Sequence, residues 1–501
     1  MNLKSKVIKA IAKIVTNLNT TKRFNAVENQ NQVLLNLISE AKNTQFGNEH
    51  EFKFIKNYKS FKTKVPIRDY EALKPHIEKV IEGKEDVLWK GKPIYFTKTS
   101  GTTSGSKYIP ISKESINHHI VAARNALFYY VSETNKANFF DGKMIFLQGS
   151  PVLTDTNGIP TGRLSGIVYH HVPKWLTGNR KPSYEANCIE DWETKIDDIV
   201  AETYQEDMRL ISGIPPWCIM YFEKLLEKTG KQTIQEIFPN FKLFVYGGVN
   251  YEPYRKKIEK LIGINIDTIE TYPASEGFFA YQNNINDKGL LLNTNAGIFY
   301  EFVEVNNFDK SNAERISLKD VKLDTNYVLI VSTNAGLWAY NTGDTVKFTS
   351  LNPYKIIVSG RLKHFVSAFG EHVIAEEVEA AIAFVSKQFK INIKEFTLAP
   401  FVAQNKNETS YYEWFIEFEE ENFELRKIES TLDKILISKN SYYKDLREGN
   451  ILASPKLRII EKNGFHKYQS SQGKLGGQNK VIHLSNNRKI ADLLQNFVKM
   501  H

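Results

Sequence analysis

The chain has 501 residues, 42% hydrophobic and 25% charged, which excludes a disordered or collagen-like polymer and allows roughly two to four domains. Its two cysteines, Cys188 and Cys218, stand outside any Cys-x-x-Cys pair, so neither a disulfide scaffold nor a structural metal is expected, and a reducing, cytoplasmic setting is. The formal charge of +9 suits nucleic acid, an anionic membrane or small polyanions; without a nucleic-acid motif or long basic run it reads as a lysine-rich solvated surface, and neither nucleic acid nor membrane is expected as a partner.

The opening MNLKSKVIKAIAKIVTNLNTTKRF interrupts its apolar residues with lysines and lacks an Ala-x-Ala site, so it reads as an amphipathic helix and not a signal peptide. No later window approaches the roughly 20 apolar residues that span a bilayer. To about Lys90 the pattern stays helical, with apolar residues at helical spacing in VLLNLISEAK and a stop at Gly83 after YEALKPHIEKVIE. Then IYFTKTSGTTSGSKYIPIS predicts a strand that breaks into a Gly, Ser and Thr loop. Ser112 is placed to cap a helix over KESINHHIVAARNALFYYV. MIFLQGSP reads as a buried strand, and KLFVYGG, YRKKIEKLIG and INIDTIETYPASEG as a strand, helix, strand crossover of a parallel sheet. From Leu290 to Ser359 short alternating runs predict antiparallel strands. Beyond Arg361, helix, two strands and helix form a smaller α+β lobe. The expected division is a large domain over 1–360, whose first 90 residues are a helical preface, and a small lobe over 361–501.

Four segments carry candidate chemistry. In Thr99 to Lys107 the small residues admit phosphate oxygens to the backbone, the hydroxyls of Thr99, Ser100, Thr102, Thr103 and Ser104 donate, Gly101 keeps the loop tight, and Lys107 adds charge. The Walker spacing is absent, and a flexible linker is the competing reading. In YPASEG, Glu276 suits Mg²⁺, Ser275 a phosphate and Tyr272 a base, at a strand end where ligands collect; an ordinary turn on Pro273 and Gly277 competes. The Gly247 and Gly248 pair lets a flat ring lie against the backbone, or is only a tight strand-to-helix turn. In YNTGD, Asp344 follows a Gly turn and suits ribose hydroxyls; a hairpin turn with a solvated Asp competes. Near the end, Lys474 and Lys480 stand among glycines, where a lysine neutralises two like-charged reactants or is simply solvated.

In this order TSGTTSGSK, YPASEG, YNTGD and SGRLKHF resemble the phosphate, magnesium, ribose and hinge motifs of acyl-adenylate-forming enzymes. Within them the chain resembles the Gretchen Hagen 3, or auxin-responsive, family of acyl acid amido synthetases from about Tyr95 to Leu484. The resemblance implies an α/β and α+β fold, with a large N-terminal domain of mixed sheets and helices and a small mobile C-terminal lobe. It implies ATP and Mg²⁺ as cofactors, a small carboxylic acid activated as acyl-AMP, and transfer to an amine, expected to be an amino acid. Residue by residue, it makes 99–107 the pyrophosphate cradle and Glu276 the magnesium ligand. It sets Val249 and Tyr272 near adenine, Asp344 on ribose and Arg361 near ribose and hinge. The tail aligns on Lys480 in preference to Lys474, although Ile482 and His483 stand where proline and arginine are usual. SAFGEH, Ser367 to His372, resembles the wider superfamily more than the plant enzymes. The acyl pocket is expected around Arg124 and Phe128 and the YHHVPKW stretch, with His170 or Arg124 facing a substrate anion. A monomer is favoured. An acyl-CoA ligase, a non-catalytic nucleotide or acyl sensor and a P-loop kinase are the competing functions; the motif register argues against the last.

Overall fold

The computed structural model describes residues 3–23, 25–99, 106–249, 251–308, 313–362, 365–366, 368–371, 373–405, 408–419, 424–471, 481, 483–485 and 488–499. The central helix starts where its cap predicts: the Ser115 amide donates to Ser112 Oγ, the Ser112 amide donates to Ser115 Oγ, and helix Lys113–Thr134 follows. Ahead of it, strand Tyr95–Thr99 pairs antiparallel with Lys107–Ile111, so the Gly- and Ser-rich stretch joins two adjacent strands. Ile159–Gly162 runs parallel on the other side of the first, and with Thr154–Thr156 at its far edge makes a four-stranded sheet.

Among the described residues the largest sheet has twelve strands. One half is parallel: Lys143–Phe146, Met208–Gly213, Leu243–Gly247 and Asp267–Ala274. Helix Glu252–Ile262 makes the expected crossover between the last two, with Tyr254, Ile258 and Leu261 buried. The other half is antiparallel and includes Gly277–Gln282, Leu290–Leu292, Ile298–Glu304, Asn326–Thr333, Tyr340–Leu351 and Tyr354–Arg361. Strand Asp267–Ala274 has a parallel neighbour on one side and an antiparallel one on the other. The sheet therefore changes character at the strand that leads into YPASEG, and carboxyl ends of parallel strands are where ligands commonly collect.

The helical preface covers the antiparallel half. Leu34, Leu37, Leu73 and Ile77 are buried in one cluster with Phe299, Phe302, Val328 and Trp338, and each such side chain is worth about 1.5–3 kcal/mol of transfer free energy. Gln30 fixes the register: its Nε2 donates to the Thr294 and Ile298 carbonyls at 2.9 and 2.8 Å, and its Oε1 accepts from the Tyr300 amide at 2.8 Å.

The small lobe is built on strands Ile393–Phe401, Tyr411–Phe418 and Lys456–Ile460. Alternation sorts their side chains. Leu398, Trp414 and Ile416 face the cluster that includes Val378, Leu432 and Leu446 of helices Ala375–Phe389, Leu425–Lys439 and Ser441–Glu448. Ala399 and Phe415 face the opposite way, onto Phe465, Ala491 and Leu494. The first cluster continues through Trp217, Tyr251 and Tyr254, so the lobe shares one core with the parallel half of the large sheet. No helix among the described residues is long and apolar enough to cross a membrane.

Candidate active site

Three of the motifs, YGGV, YPASEG and YNTGD, meet where the large sheet changes character. Gly247 ends strand Leu243–Gly247 opposite Thr271, and a Cβ on it would lie 2.4 Å from the Thr271 carbonyl oxygen. A side chain is excluded there by backbone, which answers why the strand ends in glycine. Gly248 follows with φ +82°, a left-handed conformation that favours glycine. Val249 is half-buried against the core of the parallel half.

Next to this end, Ser275 and Glu276 form the two-residue tip of a hairpin closed by the Ala274 and Gly277 pair. Both are half-buried. The turn expected from Pro273 and Gly277 is thus present, at a crevice edge.

Tyr272 and Asp344, 72 residues apart, meet: the Tyr272 hydroxyl donates to Asp344 Oδ2 at 2.6 Å. Their strands are four steps apart in the sheet order, which in a flat sheet would separate them by about 19 Å at ~4.8 Å per step. The sheet is therefore strongly coiled at this place. Asp344 is only 6% exposed, and YNTGD is no hairpin: Tyr340–Asp344 lies inside strand Tyr340–Leu351. Three residues, Thr342 to Asp344, face one, Leu329, between the Ile330–Asn341 and Val328–Thr345 pairs. That bulge, with Gly343 at φ +78°, turns the carboxylate inward. The solvated-Asp reading of this motif fails on burial. Arg361 ends strand Tyr354–Arg361 and pairs in register with Asp344.

Thr99 and Lys107 are the paired residues flanking the phosphate-loop stretch; the Lys107 ammonium lies 5.7 Å from the Tyr70 ring centroid. Ser100, Gly101, Thr102, Thr103, Ser104, Lys474 and Lys480 lie outside the described residues. The three acyl-pocket candidates have partners of their own. Arg124 is exposed, donates to Asn125 Oδ1 at 3.0 Å and lies 5.6 Å from the Phe128 ring centroid. Phe128 is buried with Ile8, Val131 and Phe139. His170 Nε2 donates to the Pro151 carbonyl at 2.8 Å.

Sequence reasoning missed the contacts that hold the lobe beside this site. Arg163 forms an ion pair with Asp445 and lies 4.4 Å from the Tyr442 ring centroid. Tyr442 in turn donates to the Lys98 carbonyl at 3.4 Å, on the strand that leads into the Gly- and Ser-rich stretch. The Tyr254 hydroxyl donates to the Ala368 carbonyl. Glu371, fully buried, accepts from the Tyr412 hydroxyl and, at 2.9 Å, from the Phe369 amide; burial pushes its carboxyl up to about 8. Only the Gly-Glu pair in SAFGEH signalled any of this.

The donor set suits a nucleotide. A buried carboxylate already organised by a tyrosine can accept from ribose hydroxyls, and glycines beside it leave room for a flat ring. Among the described residues no group of three or more His, Cys, Asp or Glu is arranged to hold a metal. A single carboxylate such as Glu276 fits Mg²⁺, which takes most of its oxygens from phosphate and water.

Comparison with known proteins follows the same lines. The N-terminal-domain profile of the GH3 family matches residues 18–184 and 164–265, its central-domain profile 291–361 and its C-terminal-domain profile 376–489. Among curated relatives, the jasmonoyl–L-amino acid synthetase JAR4 of Nicotiana attenuata is 22% identical over 87% of each chain. The indole-3-acetic acid-amido synthetase GH3.3 of Arabidopsis thaliana is 23% identical over 64% of each. Among solved structures, the GH3.15 acyl acid amido synthetase superposes with a TM-score of 0.62 at 14% identity, covering 98% of this chain and 97% of that one. A 2-hydroxyisobutyryl-CoA ligase gives 0.55 at 12% identity, covering 98% and 91%.

Proposed function

The chain belongs to the GH3 family and has the mixed α/β fold of acyl-adenylate-forming enzymes, and from that premise we propose that it is an ATP-dependent acyl acid amido synthetase. A carboxylate oxygen of a small acid attacks the α-phosphorus of ATP and pyrophosphate leaves. An amine nitrogen, from an amino acid, then attacks the acyl carbonyl carbon, AMP leaves and the nitrogen gives up its proton.

In this reading the 99–107 stretch cradles the departing pyrophosphate. Asp344, held by Tyr272, accepts from ribose; Val249 and the Gly247–Gly248 backbone lie along adenine; Arg361 stands near ribose and hinge. Glu276 would hold Mg²⁺, which would supply charge neutralisation of the phosphates. Lys480 offsets the repulsion between carboxylate and α-phosphate. The acid lies along helix Lys113–Thr134, with Arg124, Phe128 and His170 the proposed pocket residues. Domains 1–360 and 361–501 are the two bodies that close on the nucleotide, a division supported by the end of one matched profile at 361 and the start of the next at 376.

The Tyr272–Asp344 hydrogen bond carries the reading, because it joins two motifs from opposite halves of the sheet at one crevice. The test is a screen of carboxylic acids, indole-3-acetate and jasmonate among them, against amino acids and CoA, with AMP, pyrophosphate and product detected by mass spectrometry. Acid-dependent AMP with an amide is expected. A thioester alone would make the chain an acyl-CoA ligase, and no acid-dependent AMP with any acid would end the enzymatic reading.

A further inference from the structure

Among the described residues, Ser5, Ile8, Ala12 and Thr16 hold helix Leu3–Arg23 against the rest of the chain. Ser5 Oγ donates to Asp141 Oδ2 at 2.6 Å, Thr16 Oγ1 donates to Ser132 Oγ at 3.0 Å, and Tyr129 donates to the Thr16 carbonyl at 3.2 Å. Ile8 and Ala12 are buried with Phe128 and Tyr130. A helix so placed should turn polar residues outward. Instead Val7, Ile11, Ile14 and Leu18 stand 43 to 62% exposed. Their spacing of four, three and four makes a single stripe about 16 Å long.

The same helix carries Lys4, Lys6, Lys9, Lys13, Lys22 and Arg23 with no acid, and the first acid of the chain is Glu28. Six of the chain's excess of nine positive charges (66 minus 57) thus fall in one helix. Lys6 and Lys13, both exposed, share a face about 120° around the helix from the stripe.

We propose that the outward face of helix Leu3–Arg23 docks on an anionic phospholipid surface, lying in its plane. The aliphatic stripe enters the boundary between headgroups and acyl chains, while lysines reach lipid phosphates on flexible stems. A second copy is the poorer occupant, because pairing the same face would bring Lys6 and Lys13, both exposed, toward the same lysines of the other copy. Nucleic acid would satisfy the lysines and leave four aliphatic side chains unburied. This interaction departs from the expectation that no membrane takes part, which rested on reading the basic charge as a solvated surface.

The test is co-sedimentation of the full chain with large unilamellar vesicles of phosphatidylcholine, with and without 30% phosphatidylserine, at 50 and 500 mM NaCl. Binding to the anionic vesicles alone, weakened at least fivefold by the higher salt, is expected. Ile14→Ser with Leu18→Ser should lower the bound fraction at least tenfold at unchanged circular dichroism and Tm, and Lys6→Gln with Lys13→Gln should lower it severalfold. Absence of binding to anionic vesicles, equal binding to neutral ones, or undiminished binding of the serine variant overturns the proposal. So does a dimer in light scattering that the serine variant dissolves, which would make a second copy the occupant.

Discussion

Replacing Arg163 by alanine removes the guanidinium that ties the small lobe to the large domain. Its ion pair with Asp445 joins side chains that are 29 and 32% exposed, so solvent screening limits it to about 0.5–1 kcal/mol. The contact with the half-buried Tyr442 ring at 4.4 Å adds about 1 kcal/mol. Together, about 1.5–2 kcal/mol shifts the docking equilibrium of the lobe roughly 10- to 30-fold toward the undocked form, at ~1.4 kcal/mol per decade. Hydrogen exchange reads this without knowledge of any substrate. In Arg163→Ala, backbone amides of helix Ser441–Glu448 should exchange about tenfold faster, while helix Lys489–Leu494, on the other face of the lobe's sheet, keeps its rates. Arg163→Lys, which retains charge and loses the flat group, should fall between. Unchanged exchange, or a uniform rise throughout the lobe, would refute the reasoning, the second because it signals general destabilisation.

Five further substitutions probe the site and its frame. Glu276→Ala should abolish most acid-dependent pyrophosphate release, and a wild-type rate would remove it from magnesium placement; Lys480→Ala should slow adenylate formation more than amide formation from preformed adenylate, and equal losses contradict its role. Tyr272→Phe leaves the buried Asp344 short of a donor, a cost of about 1–3 kcal/mol; the expected result is an approximately tenfold higher KM for ATP with kcat little changed. Gly247→Ala forces a Cβ against the Thr271 carbonyl and should destabilise by about 2–3 kcal/mol, visible as a lower midpoint in urea; a wild-type midpoint would mean that the strand end yields. Glu371 has an ordinary value of 4.5 raised to about 8, so the folded chain keeps a proton that the unfolded chain has released. Its contribution is full below pH 4.5 and is lost as pH rises toward 8. Glu371→Gln should therefore lose less Tm than the wild type between pH 5 and 8, and parallel curves would count against a raised carboxyl.

The sequence by itself determined what is governed by near neighbours. Helix Lys113–Thr134 follows its Ser112 cap, and helix Tyr70–Ile81 stops just before Gly83, which has φ +90°. The strand, helix, strand crossover is visible because each element has its own hydrophobic period over a few residues. Candidate residues were legible too, since Gly, Ser, Glu and Asp clusters advertise chemistry without advertising geometry. Tertiary structure alone decided that Asp344 is buried in a bulge within a strand and not solvated at a turn, and that it meets Tyr272 across four strand steps. It likewise decided that Arg163 finds Asp445, 282 residues away, and that Val7, Ile11, Ile14 and Leu18 face outward while Ile8 and Ala12 face the core. The physical reason is the same in each case. Caps and periods are energies between residues a few positions apart, whereas the coil of a sheet, the docking of a lobe and the choice between two apolar helix faces are set by packing between segments that local propensity does not couple.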